Sequence, residues 1–300
     1  MDPRSELGEF LRSRRARTKP EDLGLPGYGH RRVPGLRREE LARLAGISVG
    51  YYTRLEQGHG AAVSDSVLDS LAGALRLAPD ERAHLRSLTR PRRKSPTRAG
   101  PEHVRDGVRL LVDSLGHLPA LVLGRSGDVL TWNRLAHALL AGHLPLEAPE
   151  RVDNRPNWTK LFFLDPRMRE LFADWLGKAR DTVADVRLAL GGHPDDGNLT
   201  ELVGELLVES TEFRALWSEH PIRRCTSHDR GYHHPVVGDL TLSDELLTLP
   251  DDDGQRLVVF NATPASPSAA ALGLLAELTA GDPGKPRPAR RSGRGQRRIG

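Results

Sequence analysis

Cysteine is nearly absent from this chain. Cys225 stands alone among 300 residues, which excludes an intramolecular disulfide framework and suits a reducing compartment. Long apolar runs are missing too, and no stretch approaches the ~18 apolar residues that a membrane-crossing helix needs. The opening residues MDPRSELGEF carry no apolar signal core, so a cytoplasmic location with no membrane insertion is expected. The chain also lacks a GxSxG nucleophile elbow, a GxxxxGK[ST] phosphate cradle and an HExxH metal helix. No catalytic residues and no cofactor are therefore expected.

What is present begins with charge. Residues 1–100 hold 20 Lys+Arg against 12 Asp+Glu, a net +8, whereas residues 101–280 hold 17 against 27, a net −10. The last twenty residues hold 7 against 1. A basic front on an acidic body is an electrostatic footprint for a polyanion, hidden by the modest overall +4. Three hundred residues also suggest about two domains. The richness in Arg and Ala points to a GC-rich bacterial source.

The stretch LARLAGISVGYYTRLEQG (41–58) gives the basic front a purpose. Leu41, Leu44 and Ala45 are spaced as one helical face. Gly46 stops that helix, since glycine takes a left-handed C-cap without steric penalty. Ser48 can cap a second helix with Tyr52 and Leu55 facing inward. Two short helices joined through a Gly turn make a helix-turn-helix, whose second helix can enter the major groove of double-stranded DNA. The outward residues there are Ser48, Val49, Gly50, Tyr51, Thr53 and Arg54. Arg37 and Arg38 at the start of the first helix are expected to contact phosphates.

EELARLAGISVGYYTRLEQG resembles the helix-turn-helix of Cro/repressor-type regulators, the XRE family. The resemblance runs over roughly residues 36 to 90, with the core motif at 36–83. Many relatives carry Gln at the first two exposed positions of the recognition helix, where this chain has Val49 and Gly50. Readout at those positions must then be apolar contact with a thymine methyl or close backbone approach, which leaves Arg54 as the best reader of guanine.

Around the motif the patterning predicts a five-helix front. Helices are expected at 5–17, on either side of Gly46, at 64–77 and at 79–89. A Gly- and Pro-rich loop fills 19–35, and RPRRKSPTRAGP reads as a basic linker. Beyond it, LPALVLGRSGDVLTWN (118–133) predicts two strands around Ser126-Gly127-Asp128. Asn133 can then cap a helix. A single long helix is expected over 165–191, and two more over 198–210 and 210–220. Strands are expected at 221–227, 236–250 and 255–263, the last pair joined by the turn Asp252-Asp253-Gly254. Ser266-Pro267 opens a final helix.

This body resembles the MmyB-like ligand-binding domain of actinobacterial regulators. The resemblance rests on TWNRLAHAL (131–139), NWTKLFFLDPRMRELFADW (157–175), STEFRALWSEH (210–220), HHPVVGDLTL (233–242) and RLVVFNATPASPSAAAL (256–272). It implies a PAS-like sheet with helical cover around an apolar pocket for a lipophilic small-molecule effector. Trp132, Phe162, Phe163, Trp175, Phe213 and Trp217 are the candidate pocket residues.

The expected fold class is thus multidomain: an all-α helix-turn-helix bundle followed by an α+β PAS-like domain. The expected boundaries are 1–89 for the reader, 90–105 for the linker, 106–280 for the ligand-binding domain and 281–300 for a disordered basic tail. Function follows as a sequence-specific transcriptional regulator, acting as a homodimer because a single helix-turn-helix touches only a short half-site. One alternative from another class stands beside it. CTSHDRGYHH (225–234) gathers Cys225, His228, His233 and His234, all zinc-ligating types, as a DNA-tethered metal-dependent enzyme would need. A compact zinc site draws paired ligands from two places, and no second cluster exists in the chain.

Overall fold

The computed structural model describes residues 3–24, 35–59, 63–89, 101–193, 195–221, 227–250 and 254–280, apart from the side chains of 3–5, 227 and 228. The expected loop tip with Arg31 and Arg32, most of the basic linker, Asp252, Asp253, Cys225 and the basic tail lie outside the described residues.

Among the described residues the front is helical, without strands. It comprises α1 (Pro3–Arg17), α2 (Arg38–Leu44), α3 (Val49–Glu56), α4 (Asp65–Ala74) and α5 (Pro79–Thr89). Local chemistry sets the α2–α3 corner. The Arg37 backbone N–H donates to Glu40 Oε2 at 2.8 Å and opens α2. Gly46 closes it at φ +67°, and Ile47 N–H returns to Ala42 O at 3.0 Å. Ser48 Oγ then accepts from Tyr51 N–H at 3.1 Å to start α3. Tyr52 and Leu55 turn inward onto Phe10, Leu41 and Leu71 in one apolar cluster.

The body carries a five-stranded antiparallel sheet of order β2-β1-β5-β4-β3. Its strands are β1 (Ala120–Leu123), β2 (Val129–Trp132), β3 (Ser227–His234), β4 (Gly238–Thr248) and β5 (Arg256–Asn261). Helix α6 (Asp106–Ser114) covers one face, where Val108 and Val112 meet Ala120, Val122, Leu257 and Val259. Val104, inside the stretch expected as linker, joins that cluster. The other face lies under α7 (Arg134–Ala141), α8 (Trp158–Leu164), α9 (Pro166–Leu171), α10 (Trp175–Gly192), α11 (Gly197–Glu209), α12 (Thr211–Ser218) and α13 (Pro267–Thr279).

Two expectations need correction. The single helix over 165–191 is two helices, because Phe172 leaves helical geometry to bridge the backbone of Tyr232. Ala173 N–H donates to Gly231 O at 3.0 Å, and Asp174 Oδ1 accepts from Gly177 N–H to start α10 afresh. The second correction concerns the strand expected at 221–227, since the described strand lies in the His-rich segment that follows. From Ser227 to His234 it is a full edge strand, with Tyr232 opposite Leu240 and Arg230 opposite Leu242.

Front and body share a packed joint built on two buried arginines. Arg187 of α10 donates to Glu6 Oε1 (3.3 Å) and to Trp217 O (2.6 Å), and its guanidinium sits 3.9 Å over the Trp217 ring. Arg14 of α1 donates to His220 O at 2.6 Å and lies 3.0 Å from Glu81 Oε1. Burial pulls both guanidinium pKa values down, to about 10. His84 fills the space between, edge-on to Phe10 at 5.2 Å. A Cβ on Gly191 would meet the His84 ring at 2.8 Å, so the His84 side chain packs directly on the α10 backbone.

Candidate functional site

The recognition face is the outer side of α3. Ser48, Val49, Gly50 and Arg54 are exposed, and Tyr51 and Thr53 are half-buried. Thr53 Oγ1 is turned back onto Val49 O at 2.8 Å, while Arg54 lies 5.7 Å over the Tyr51 ring, poised at the surface. Glu56 sets the attitude of this helix from below. Its buried carboxylate takes Arg15 Nε at 2.7 Å on one oxygen and Arg38 Nε at 2.6 Å on the other. Burial alone would raise its pKa, but the hydrogen bonds from Arg15 and Arg38 prevail and lower it. Arg38 therefore has a structural task, clamping α2 to α3, in addition to its exposed position. Arg37 and Arg43 are exposed along α2. Arg43, in the last turn of α2, was not singled out by sequence pattern.

The body holds a cavity of about 50 Å³ between sheet and helices. At ~10–15 Å³ per water it has room for only a few small groups. Its floor is one face of the sheet, with Leu121, Tyr232, Asp244, Arg256, Val258 and Phe260. Strand registry explains the set, since Tyr232 stands opposite Leu240, and Leu240, Leu242 and Asp244 alternate onto the same face. Asp244 in turn faces Phe260. The roof is α10, through Lys178, Thr182, Asp185, Val186 and Ala189, with Trp158 closing one side. Asn157 fixes Trp158 in place: its Nδ2 donates to Ser126 O and Asp128 Oδ1, both at 2.9 Å, and its Oδ1 accepts from Thr159 N–H.

The six aromatics expected at a pocket lie outside this cavity. Phe162, Phe163, Trp175, Phe213 and Trp217 stack on one another as core; Phe162 and Trp175 are near-parallel at 5.4 Å, and Phe213 meets Trp217 at 5.4 Å. Trp132 borders a separate cleft beside Asn133 and Ala276, its indole N–H bound to Leu146 O. None of the six lines the cavity described above. Residue type alone does not separate core aromatics from cavity aromatics. The period-two alternation of HDRGYHH would have placed Tyr232 and Arg230 on the inner face.

The histidines of that segment diverge. His233 is exposed and pairs with Asp239 at 2.7 Å. His234 is buried, donating from Nε2 to Ala138 O and accepting from Val236 N–H at Nδ1. Neighbours in a strand point to opposite faces, so these two do not converge. Among the described residues no group of three or more His, Cys, Asp or Glu is placed to hold a metal ion.

A helical reader with an outward recognition helix, packed on a sheet-and-helix body with an internal cavity, defines a DNA-binding transcriptional regulator with a ligand-sensing domain. Residues 104–275, more than half of the chain, match the MmyB-like transcription regulator ligand binding domain, and the chain belongs to that family. Residues 6–85 match a helix-turn-helix domain. No curated protein matches the chain.

Proposed function

We propose that this regulator is of the XRE type, reads its operator with α3 as a homodimer in the bacterial cytoplasm, and performs no catalysis of its own. The observation that carries the reading is the outward face of α3, where an exposed Val49–Gly50 pair precedes an exposed Arg54. Val49 suits a thymine methyl, Gly50 lets the backbone approach the bases, and Arg54 suits guanine O6 and N7. Ser48, Tyr51 and Thr53 flank these readers. Arg37 and Arg38 fall where phosphates would run, with Arg43 beside them. For the body, the strand order β2-β1-β5-β4-β3 supports a PAS-like assignment. The apolar part of the cavity lining supports a lipophilic effector. The division into reader, linker, ligand domain and tail at 89, 105 and 280 belongs to the same proposal.

Competition gel shifts test the reader. Arg54→Ala is expected to cost about 1–3 kcal/mol on the operator and to relax preference at one base position. Arg37→Ala is expected to weaken all sequences alike and to flatten the salt dependence by about one unit. An Arg54→Ala protein with undiminished operator preference would show that α3 reads in another register. Sedimentation of operator complexes at two protomers per site is the expected result for the dimer.

A further inference from the structure

The cations at the cavity already face carboxylates. Lys178 Nζ and Arg230 Nε both donate to Asp244 Oδ2, at 3.2 and 3.3 Å, and Arg230 also binds Asp181 at 2.7 Å. Arg256 lies 3.7 Å from Asp185, and Arg125 donates to Asp196 at 3.0 Å. An anionic headgroup entering here would have to displace one of these carboxylates.

Two polar atoms are in the opposite condition. Tyr232 Oη and Asp244 Oδ1 are buried with no hydrogen-bond partner among the described residues. Tyr232 is only 1 % exposed, and both residues line the cavity from the same face of the sheet. Burial first, and then the charge of Asp244, keep the phenol protonated and able to donate. Leaving such groups without partners is unfavourable, and native interiors rarely do so. A ligand hydroxyl seated between them answers both, its O–H donating to Asp244 and its oxygen accepting from Tyr232. The remaining lining includes Leu121, Trp158, Phe172, Val186 and Phe260, which suits an apolar remainder; at about 50 Å³ the closed cavity holds only the hydroxyl end, so a longer chain has to part α10 from the sheet.

We propose, building on the ligand-sensing reading of this cavity, that it selects a neutral apolar alcohol over a carboxylate or an amine of the same length. A carboxylate would add a negative charge beside Asp185 and Asp244. An ammonium group would crowd Lys178 and Arg230, which already occupy Asp244.

The test uses the full chain and three probes of equal length: octan-1-ol, octanoate and octylamine, titrated by calorimetry. Octan-1-ol is expected to bind at least tenfold tighter than either charged probe. Tyr232→Phe is expected to weaken octan-1-ol about tenfold while leaving the melting temperature of the ligand-free protein unchanged or raised, because the phenol has no partner to lose. Octanoate or octylamine binding as tightly as octan-1-ol would overturn the proposed selectivity and leave the cavity standing as the ligand site. Unchanged octan-1-ol affinity in Tyr232→Phe, or a lowered melting temperature, would overturn the role of the phenol. Failure of all three probes to bind would remove the cavity as the sensing site, and the proposal with it.

Discussion

Single polar side chains do much of the positioning in this molecule. Asn133 shows how. Its Oδ1 accepts from Ala136 N–H at 2.8 Å and from Ala120 N–H at 3.2 Å, so one atom caps α7 and ties it to β1. Its Nδ2 donates to Leu115 O at 2.9 Å and Leu118 O at 2.7 Å, which fixes the connection from α6 into the sheet. Asn157 serves the β1–β2 turn and α8 in the same way. Asn133→Ala removes a helix cap, worth about 1 kcal/mol. It also orphans buried backbone groups, at about 1–3 kcal/mol. The expected loss is therefore about 2–4 kcal/mol, read from the urea midpoint. Asn133→Asp keeps the accepting oxygen and loses the donor, so it is expected to fall between Ala and wild type. Equal losses for both substitutions would show that only the donor matters.

At the scale of elements, glycine spacing separates helices that touch from helices that do not. A Cβ on Gly8 would overlap the backbone of Glu56, so α1 crosses α3 with no room for a methyl. Gly204 in α11 has nothing within 4 Å of such a Cβ. Gly8→Ala is expected to destabilise the front by about 1–3 kcal/mol through overpacking, and to weaken operator binding because α3 must shift. Gly204→Ala is expected to stabilise by about 0.5–1 kcal/mol, since alanine is the better helix former. Thermal melts and gel shifts on the two variants check the pair. Opposite signs are the expected outcome, and loss of operator binding in Gly204→Ala would contradict it.

The same comparison explains which elements were legible in sequence. The α2–α3 corner was readable because Gly46 and Ser48 act locally, through a positive φ and a cap. The front bundle, the β1–β2 turn, and helices α7, α11, α12 and α13 were readable for similar reasons. The break between α9 and α10 was not, because it depends on Phe172 pairing with Tyr232 sixty residues away. The cavity was illegible for the same cause: Lys178, Tyr232, Asp244 and Arg256 meet only once strand register and α10 are in place. Arg14 and Arg187 look like surface charges in sequence, yet tertiary packing buries both.

For the whole molecule, the joint between front and body predicts a response to acid. Burial, followed by the charges of Arg187, Arg14 and His220, lowers the His84 pKa to about 3. The folded protein thus keeps His84 neutral while the unfolded chain takes up a proton below about pH 6.5. Stability from this group is full above that pH and falls on acidification, by about 1.5–2 kcal/mol between pH 6.5 and pH 5. Glu6 runs the other way. Burial raises its pKa against the pull of Arg187, so its stabilising contribution appears only as pH drops towards 4.5 and is lost above its raised folded value. His84, together with His220, whose pKa burial also lowers, therefore governs the upper part of the window. Urea unfolding at pH 6.5 and pH 5 is expected to show this loss in the wild type and a much smaller one in His84→Leu. Identical slopes in the two proteins would place the acid response elsewhere.

The joint also gives the effector a route to DNA through α10. Lys178, Thr182, Asp185 and Ala189 line the cavity on one side of this helix. Arg187, Leu188 and Gly191 meet the front on the other. Asp185 and Arg187 are two residues apart and so point about 200° apart around the axis. A ligand that parts the narrow cavity must move one side of α10, and Arg187 links the other side to Glu6 of α1. Helix α1 in turn holds α3 through Arg15 and Glu56. A ligand can shift operator affinity only by its differential affinity for the two arrangements. Typical couplings are about 1–3 kcal/mol, a roughly 5- to 150-fold change, and operator DNA must change ligand affinity by the same factor. Calorimetric titration of the tightest of the three octyl probes, with and without saturating operator, measures that factor directly. Arg187→Met keeps the packing volume and removes the link to Glu6, so the factor is expected to fall towards one while probe affinity without DNA stays within about twofold. Equal probe affinities with and without operator in the wild type would mean that the body does not control the reader. A coupling undiminished in Arg187→Met would move the route away from α10.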